Sequence, residues 1–204
     1  MNSKILPVLL PVSLAFSLAA LVSIGCQKHA PKAAEMPQPE VTFKPREMAD
    51  ALHAVIAADR EVYALHVVQR LQGDEKLIKA VTNWREEKAL PLPAQMLRMG
   101  SESVQQKGAE FHYVLRSLWP INPKNAPETA TERSGLEFVL AHPETNYYSG
   151  ESLGGRKYFT AVYPDHALAA VCVDCHNQRT DSPKKDFKVG DVMGGIIVRV
   201  PLEF

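Results

Sequence analysis

The sequence predicts an α+β domain in which helices precede an antiparallel sheet. Three observations indicate this class. Apolar residues recur at three- and four-residue steps from about residue 47 to residue 108, which is the period of amphipathic helices. Later segments alternate or cluster β-branched and aromatic residues, as strands do. The order of helices, strand, helix and strands differs from the regular alternation of βαβ units.

The N-terminal 25 residues differ in kind from the rest of the chain. Residues 5–24 are almost wholly apolar and follow Lys4, which is the layout of an export signal. Gly25 and Cys26 come next, and a small residue before a cysteine is typical of bacterial lipoproteins, where that cysteine is lipidated. An uncleaved anchor is the alternative, because about 20 apolar residues can span a bilayer. We expect a periplasm-facing, membrane-anchored protein.

Residues 26–46 are predicted to be a flexible, proline-rich tether. Such a composition buries too little apolar surface to offset its own ordering entropy. The folded domain is therefore expected to cover residues 47–204. The prolines of the tether are Pro31, Pro37, Pro39 and Pro45.

Three helices are predicted at the start of the folded domain. The first ends near Gly73, the second covers about residues 74–88, and the third begins at Pro93 and stops at Gly108. The apolar stripe of the first contains Met48, Leu52, Val55, Ile56, Val62, Tyr63, His66 and Val67. The spacing that predicts the second is that of Leu77, Ile78, Val81 and Trp84.

Beyond Gly108 the pattern predicts strands at residues 111–118, 156–163 and 194–202. A helix is expected between the first two strands, over about residues 127–142. The short segment before the last strand holds the sequence CVDCH.

This CxxCH motif carries the most specific chemistry of the sequence. Cys172 and Cys175 are separated by two residues, and His176 follows directly. In c-type attachment two such thiols add to the porphyrin vinyl groups, and the adjacent histidine binds the iron. Bacterial attachment of this type takes place outside the cytoplasm, in agreement with the export signal. We predict one covalent haem c, with Cys172 and Cys175 as thioether residues and His176 as the proximal iron ligand.

Other uses of paired cysteines fit less well. A zinc site needs four ligands, yet Cys26 is the remaining cysteine and the other histidines show no paired ligand spacing. A thioredoxin-like pair belongs at the start of a helix within a βαβ unit, which is not predicted here. A disulfide between cysteines three positions apart closes a loop that constrains little.

Three further segments resemble a known family. WPINPKNAPE at 119–128, PLPA at 91–94 and CVDCHNQRTDSPKKDFKVGDVMGG at 172–195 together resemble the Tll0287-like family, also described as domain of unknown function 3365. The resemblance covers roughly residues 47–204. It implies a PAS-like sensor fold with an antiparallel sheet and one covalent c-type haem. Such domains occur alone or ahead of chemoreceptor and kinase modules.

The sequence offers several candidates for the sixth ligand of the iron. Met96 and Met99 lie one turn apart on the third predicted helix, whose equivalent borders the haem in the family. His66 lies on the apolar stripe of the first helix, and His53, His112 and an open or water-bound iron are further alternatives. Methionine would raise the reduction potential, a second histidine would lower it, and an open site would bind small gases.

Two arginines are candidates for the haem propionates. Arg116 and Arg156 lie on predicted strands, and a guanidinium fork suits a carboxylate. Solvated surface arginines are the alternative reading of both.

The composition argues against nucleic acid as a partner. The chain has 23 lysines and arginines against 23 aspartates and glutamates, without a long run of one sign. We expect a redox or small-ligand sensor that acts through a separate periplasmic signalling protein, since four residues follow Val200. A monohaem electron carrier with a periplasmic redox partner is the alternative. An enzyme is not expected, because no acid–base pair flanks the motif.

Overall fold

The structure is a computed structural model, and it describes residues 44–203. Helix α1 (Pro45–Val62) continues into a π-helical segment (Tyr63–Asp74), followed by the short strands β1 (Ala80–Val81) and β2 (Leu90–Pro91). The remaining elements are α2 (Pro93–Gln106), β3 (His112–Arg116), a 3-10 turn (Pro123–Asn125), α3 (Ala130–Ala141), β4 (Tyr147–Leu153), β5 (Arg156–His166), α4 (Ala170–Gln178) and β6 (Val192–Pro201).

The central feature is a four-stranded antiparallel sheet in the order β3-β6-β5-β4. Strand β6 lies between β3 and β5, and its Ile197 is opposite Val114 on one side and Val162 on the other. The predicted α+β class with an antiparallel sheet is confirmed. The inner strands are the longest, because both faces of the sheet are covered and the apolar runs of β5 and β6 can be buried completely.

Two layers of helix cover the sheet. On one face α1 and α2 pack Ala49 and Leu97 against Ile196 and Val198 of β6. On the other face Leu136 of α3 packs with neighbours from β5 and β6. Side chains of alternate β6 residues therefore pack into cores on opposite faces of the sheet, as the two-residue period of a strand requires.

The first helix differs from its predicted stripe. Val55 and Val62 are 63% and 56% exposed, and His66 is exposed as well, whereas Ala64 and Val68 are buried. The departure at His66 follows the change to π-helical hydrogen bonding after Val62, because bonds between residues five positions apart alter the angle between successive side chains. A single stripe with a period of 3.6 residues therefore does not describe this helix.

The predicted second helix, over residues 74–88, is wrong. Residues Ala80–Val81 instead pair in parallel with Leu90–Pro91, and Leu77 is 72% exposed. Lys76 and Lys88 have φ angles of 53° and 51°, a region in which a right-handed helix cannot continue. Apolar spacing over so short a stretch predicted a helix that these two backbone conformations interrupt.

The later elements agree better with their predictions. Helix α2 begins at Pro93, and α3, β3, β5 and β6 all lie at the expected places. Strand β4 was missed because its sequence YYSGESL is too polar to show a clear alternation. The CxxCH motif lies on the short helix α4.

Among residues 44–203, no helix has the length and apolar character needed to cross a bilayer. The predicted signal or anchor at residues 1–25, the lipidation candidate Cys26 and the tether up to residue 43 lie outside the described residues.

Candidate functional site

A cavity of about 460 Å³ lies where α4 and the π-helical segment meet the start of α2 and the ends of β3 and β5. Its volume falls within the range of about 300–1,000 Å³ typical of small-molecule and cofactor sites. Much of its wall is apolar and includes Val68, Ala80, Leu92, Leu115, Trp119 and Ile121.

All three residues of the CxxCH motif line this cavity. Helix α4 places Cys172, Cys175 and His176 at positions i, i+3 and i+4, which share one helix face. Neither thiol forms a disulfide within the described part of the chain. Burial raises the pKa of the Cys175 thiol, which keeps the thiol protonated at neutral pH.

The orientation of α4 depends on the π-helical segment. Val171 packs with Val68, and the backbone N–H of Val171 donates to the side-chain oxygen of Gln69 at 3.1 Å. Since the N-cap residue Ala169 offers no side-chain acceptor, Gln69 satisfies one of the free donors at the start of α4. A distant residue thus holds the motif helix in place.

One ring nitrogen of His176 is buried. This Nδ1 atom has no hydrogen-bond partner among residues 44–203. Burial lowers the pKa of His176, so the imidazole is neutral at pH 7, which is the form that binds metal ions. The ring meets Phe187 edge to face, with centroids 5.9 Å apart.

The loop after the motif folds back over His176. The side chain of Asn177 donates to the carbonyl of Phe187 at 2.9 Å and accepts from its N–H at 3.1 Å. Phe187 is buried and also meets Trp119 edge to face at 5.8 Å. Sequence reasoning missed both Asn177 and Phe187, although both lie in the segment that carries the family resemblance.

Arg60 is a further residue of the wall that sequence reasoning missed. Its Nε and Nη2 atoms each donate to a carboxylate oxygen of Asp165 at 2.7 Å. The two side chains are 12% and 9% exposed, and both line the cavity. A register shift in the pairing of β5 with β6 at Asp165 and His166 is the kind of irregularity that re-aims side chains beside a site.

The predicted sixth ligands lie elsewhere. The face of α2 toward the cavity carries Gln95 and Arg98, and neither Met96 nor Met99 belongs to the wall formed by the described residues. Met99 lies in a separate polar groove, where its sulfur is 3.8 Å from Arg85.

The three histidine candidates are also outside the cavity wall. His66 is exposed, contrary to its expected place on an apolar stripe. His53 stacks on Tyr163 at 3.8 Å, and His112 meets Tyr158 edge to face at 5.9 Å. Burial lowers the pKa of both His53 and His112. The wall instead contains His166 and Met193.

The two predicted propionate partners have different places. Arg116 lines the cavity but is buried, not a solvated surface residue. Its donors are directed to Glu128 at 2.7 Å, Glu132 at 3.3 Å and the carbonyl of Lys124 at 2.5 Å. Arg156 lies outside the cavity wall and pairs with Glu110.

Within residues 44–203, no group of three or more histidine, cysteine or acidic side chains is arranged to hold a metal ion by itself. The donor set of the cavity, with two thiols and one half-buried neutral imidazole on an apolar wall, fits a haem attached through the CxxCH motif. The buried Nδ1 of His176 has no hydrogen-bond partner within residues 44–203, so the described chain does not fully satisfy this imidazole.

The model of the Tll0287-like family matches residues 38–201 of this chain. The chain belongs to the Tll0287-like family. A solved structure with the same fold is that of the cyanobacterial heme-protein Tll0287, at 14% sequence identity and a TM-score of 0.50. The match covers 78% of this chain and 98% of the cyanobacterial one. No curated protein matches this member of the Tll0287-like family.

Proposed function

We propose that this protein binds one haem c covalently in the cavity beside α4. The observation that carries the proposal is that Cys172, Cys175 and His176 all line one apolar cavity of suitable size. The cysteines would form the thioether bonds, and His176 would bind the iron. The description of the cyanobacterial relative as a heme-protein supports the same cofactor here.

The contacts around α4 hold the motif in place. Gln69 orients the start of the helix. The hydrogen bonds between Asn177 and Phe187 hold the ring of Phe187 against the imidazole of His176. The bound haem would supply an iron that exchanges one electron or takes a small ligand. Phe187 packs edge to face against both His176 and Trp119 and would shield the imidazole from water.

We further propose that the domain is a PAS-like sensor of redox state or of a small ligand, without catalytic activity, which signals through a separate periplasmic protein. The position of Met96, Met99 and His66 outside the cavity wall supports a coordination position that an external ligand can occupy. Export and anchoring through Cys26 remain part of this proposal, on the pattern of residues 1–26.

The alternative is a membrane-tethered electron carrier. It is favoured by one observation, the presence of His166 and Met193 in the cavity wall. Either side chain is of a type that completes the coordination of haem iron in electron-transfer proteins.

The haem proposal is tested by the variant Cys172→Ala with Cys175→Ala. Protein from a host that attaches c-type haem is separated under denaturing, reducing conditions and stained for haem peroxidase activity. We expect a stained band for the native protein and none for the variant, because both thioether bonds are gone. A stained variant band, or an unstained native band, would contradict covalent attachment.

The two roles are separated by exposing the reduced native protein to carbon monoxide. A rapid change of the absorption spectrum is expected for a sensor of small ligands, since its iron would have an exchangeable position. An unchanged spectrum would indicate that a protein side chain occupies the position firmly and would favour the electron carrier.

A further inference from the structure

Helix α1 presents a row of apolar side chains to solvent. Ala51, Val55, Ala58 and Val62 are all exposed, and the two valines are 63% and 56% exposed. These four residues, called the outer face from here on, follow one another at steps of four, three and four positions. They therefore lie in one row along about 16 Å of the helix. The opposite side of α1 packs Ala49 into the core of the sheet, so this helix is apolar on two sides.

The outer face differs from the exposed side of the neighbouring helix. Helix α2 packs against the same core as α1. All exposed residues of α2 are polar or charged, namely Arg98, Glu102, Ser103, Gln105 and Gln106. A helix normally turns polar residues to solvent, and contiguous exposed apolar side chains mark an interaction surface. Nothing within residues 44–203 covers the outer face, so the packing of this part of the chain does not account for it.

The residues beside the outer face favour a helix over a lipid surface as its partner. Asp59 and Glu61 flank the row, and both are exposed. Helices that lie on membranes carry lysine and arginine on one face and tryptophan, phenylalanine or leucine on the other. Here the flanking charges are carboxylates and the apolar side chains are short. Short side chains at a contact allow two helix axes to approach closely.

The order of the side chains selects a second copy of α1. Alanine and valine alternate along the row, and the steps of four and three residues are those of a coiled-coil seam. A two-fold axis perpendicular to α1, between Val55 and Ala58, places Val55 against the partner's Ala58. The same axis places Val62 against the partner's Ala51. Each layer of this antiparallel pair then holds one valine and one alanine.

The parallel arrangement packs less well. It would place valine against valine and alanine against alanine in alternate layers. The valines would hold the two backbones apart, and the alanine layers would then lose contacts to voids. In the antiparallel pair, Asp59 comes to the level of the partner's Ala54 and Glu61 to that of the partner's Leu52. Neither carboxylate therefore meets a like charge at its own level.

We propose that the outer face of α1 is the contact surface of an antiparallel homodimer. This inference goes beyond the proposed haem function and does not depend on it. A row of about 16 Å is short, which places the interface in the class below about 1,200 Å² that is typical of weak complexes. The dimer is therefore weak, and its population depends on protein concentration.

Sedimentation velocity of the full chain, from micromolar to millimolar concentration in a density-matched detergent, measures this equilibrium. We expect the native protein to dimerise and Val55→Glu to raise the dissociation constant at least about tenfold, because a carboxylate would be buried against an alkyl group. The matched control is Leu77→Glu, at an apolar position that is 72% exposed and lies outside α1, which should dimerise like the native protein. Thermal unfolding verifies that each variant is folded.

A mixture of two variants tests the antiparallel direction. Val55→Glu and Ala58→Lys should each associate less than the native protein. Their equimolar mixture should associate more tightly than either alone, because the antiparallel pair sets the introduced carboxylate against the introduced ammonium group. A mixture no tighter than its components would overturn the antiparallel arrangement. A native chain that stays monomeric over the whole range, or a native dimer that Val55→Glu leaves unchanged, would overturn the proposed surface.

Discussion

At the scale of single residues, a side chain's type does not decide its role in the cavity. Met96 and Met193 are both half-buried methionines, yet only Met193 lines the cavity. Likewise, His166 lines the cavity and His66 does not. Which of two like residues faces a site depends on the rotation of its element, and for α2 that rotation brings Gln95 and Arg98 to the cavity.

The methionines of α2 provide a test at this scale. We expect the double variant Met96→Leu with Met99→Leu to keep the absorption spectrum and reduction potential of the native protein, because neither side chain lines the cavity. Leucine conserves the volume, so the cost should stay below about 1.5 kcal/mol per site. The comparison variant is Met193→Leu, which we expect to alter the potential. A changed spectrum in the α2 variant would show that Met96 or Met99 binds the iron.

At the scale of elements, the close contact of α3 with the sheet depends on a residue without a side chain. A Cβ atom on Gly135 would lie 2.5 Å from Cγ2 of Val162 and 2.9 Å from Cδ1 of Tyr147. The glycine therefore lets the helix approach β4 and β5 closely. Leu136 and Val139 of α3 are fully buried at this interface.

We expect Gly135→Ala to destabilise the protein although alanine favours helix. The gain in helix propensity is about 1 kcal/mol, and the overpacking costs about 1–3 kcal/mol, so the net loss should reach as much as about 2 kcal/mol. Denaturant unfolding measures this difference. The control Ser134→Ala, at an exposed neighbouring position, should gain a few tenths of a kcal/mol. A more stable Gly135→Ala protein would show that α3 can move away from the sheet at little cost.

At the scale of the whole molecule, a buried network of charges joins four elements. Arg199 of β6 bonds Glu132 of α3 at 2.8 Å and Glu151 of β4 at 2.5 Å. Glu132 also accepts from Arg116 of β3, which lines the cavity. Removing one member of such a network costs about 3–5 kcal/mol, because it leaves a buried charge without a partner.

This network predicts how stability depends on pH. Burial alone would raise the pKa of Glu151, but hydrogen bonds from Thr160 and Arg199 outweigh it and lower that pKa below its ordinary value of 4.5. The ionised carboxylate therefore stabilises the folded state above pH 4.5, and this contribution is lost as the pH falls through the lowered pKa.

Denaturant unfolding between pH 3 and pH 7 measures the effect. We expect Glu151→Gln to lose about 1–3 kcal/mol at pH 7, less than a full removal, because Glu132 still pairs with Arg199. The variant should also show a weaker loss of stability on acidification than the native protein. The control is Glu137→Gln, at an exposed position of α3, which should follow the native curve. Equal acid sensitivity of Glu151→Gln and the native protein would show that Glu151 does not carry this dependence.

Much of the fold followed from local patterns. Pro93 marked the start of α2, and the β-branched and aromatic residues of β5 and β6 marked these segments as strands, because such signals depend on neighbours in the chain. The prediction of a helix over residues 74–88 failed because two lysines in left-handed conformations interrupt the segment. Strand β4 was not predicted because its pairing with β5, and not its composition, makes it a strand.

The sequence by itself determined that the three residues proposed for haem attachment lie together, since the spacing of Cys172, Cys175 and His176 places them on one face of a single helical turn. Only the tertiary structure decided what surrounds that turn. Arg60 and Asp165 are 105 positions apart, and Gln69 reaches Val171 across 102 positions. The physical reason is that a spacing of three or four residues is set by the backbone, whereas partners a hundred residues apart are set by how helices and sheet pack.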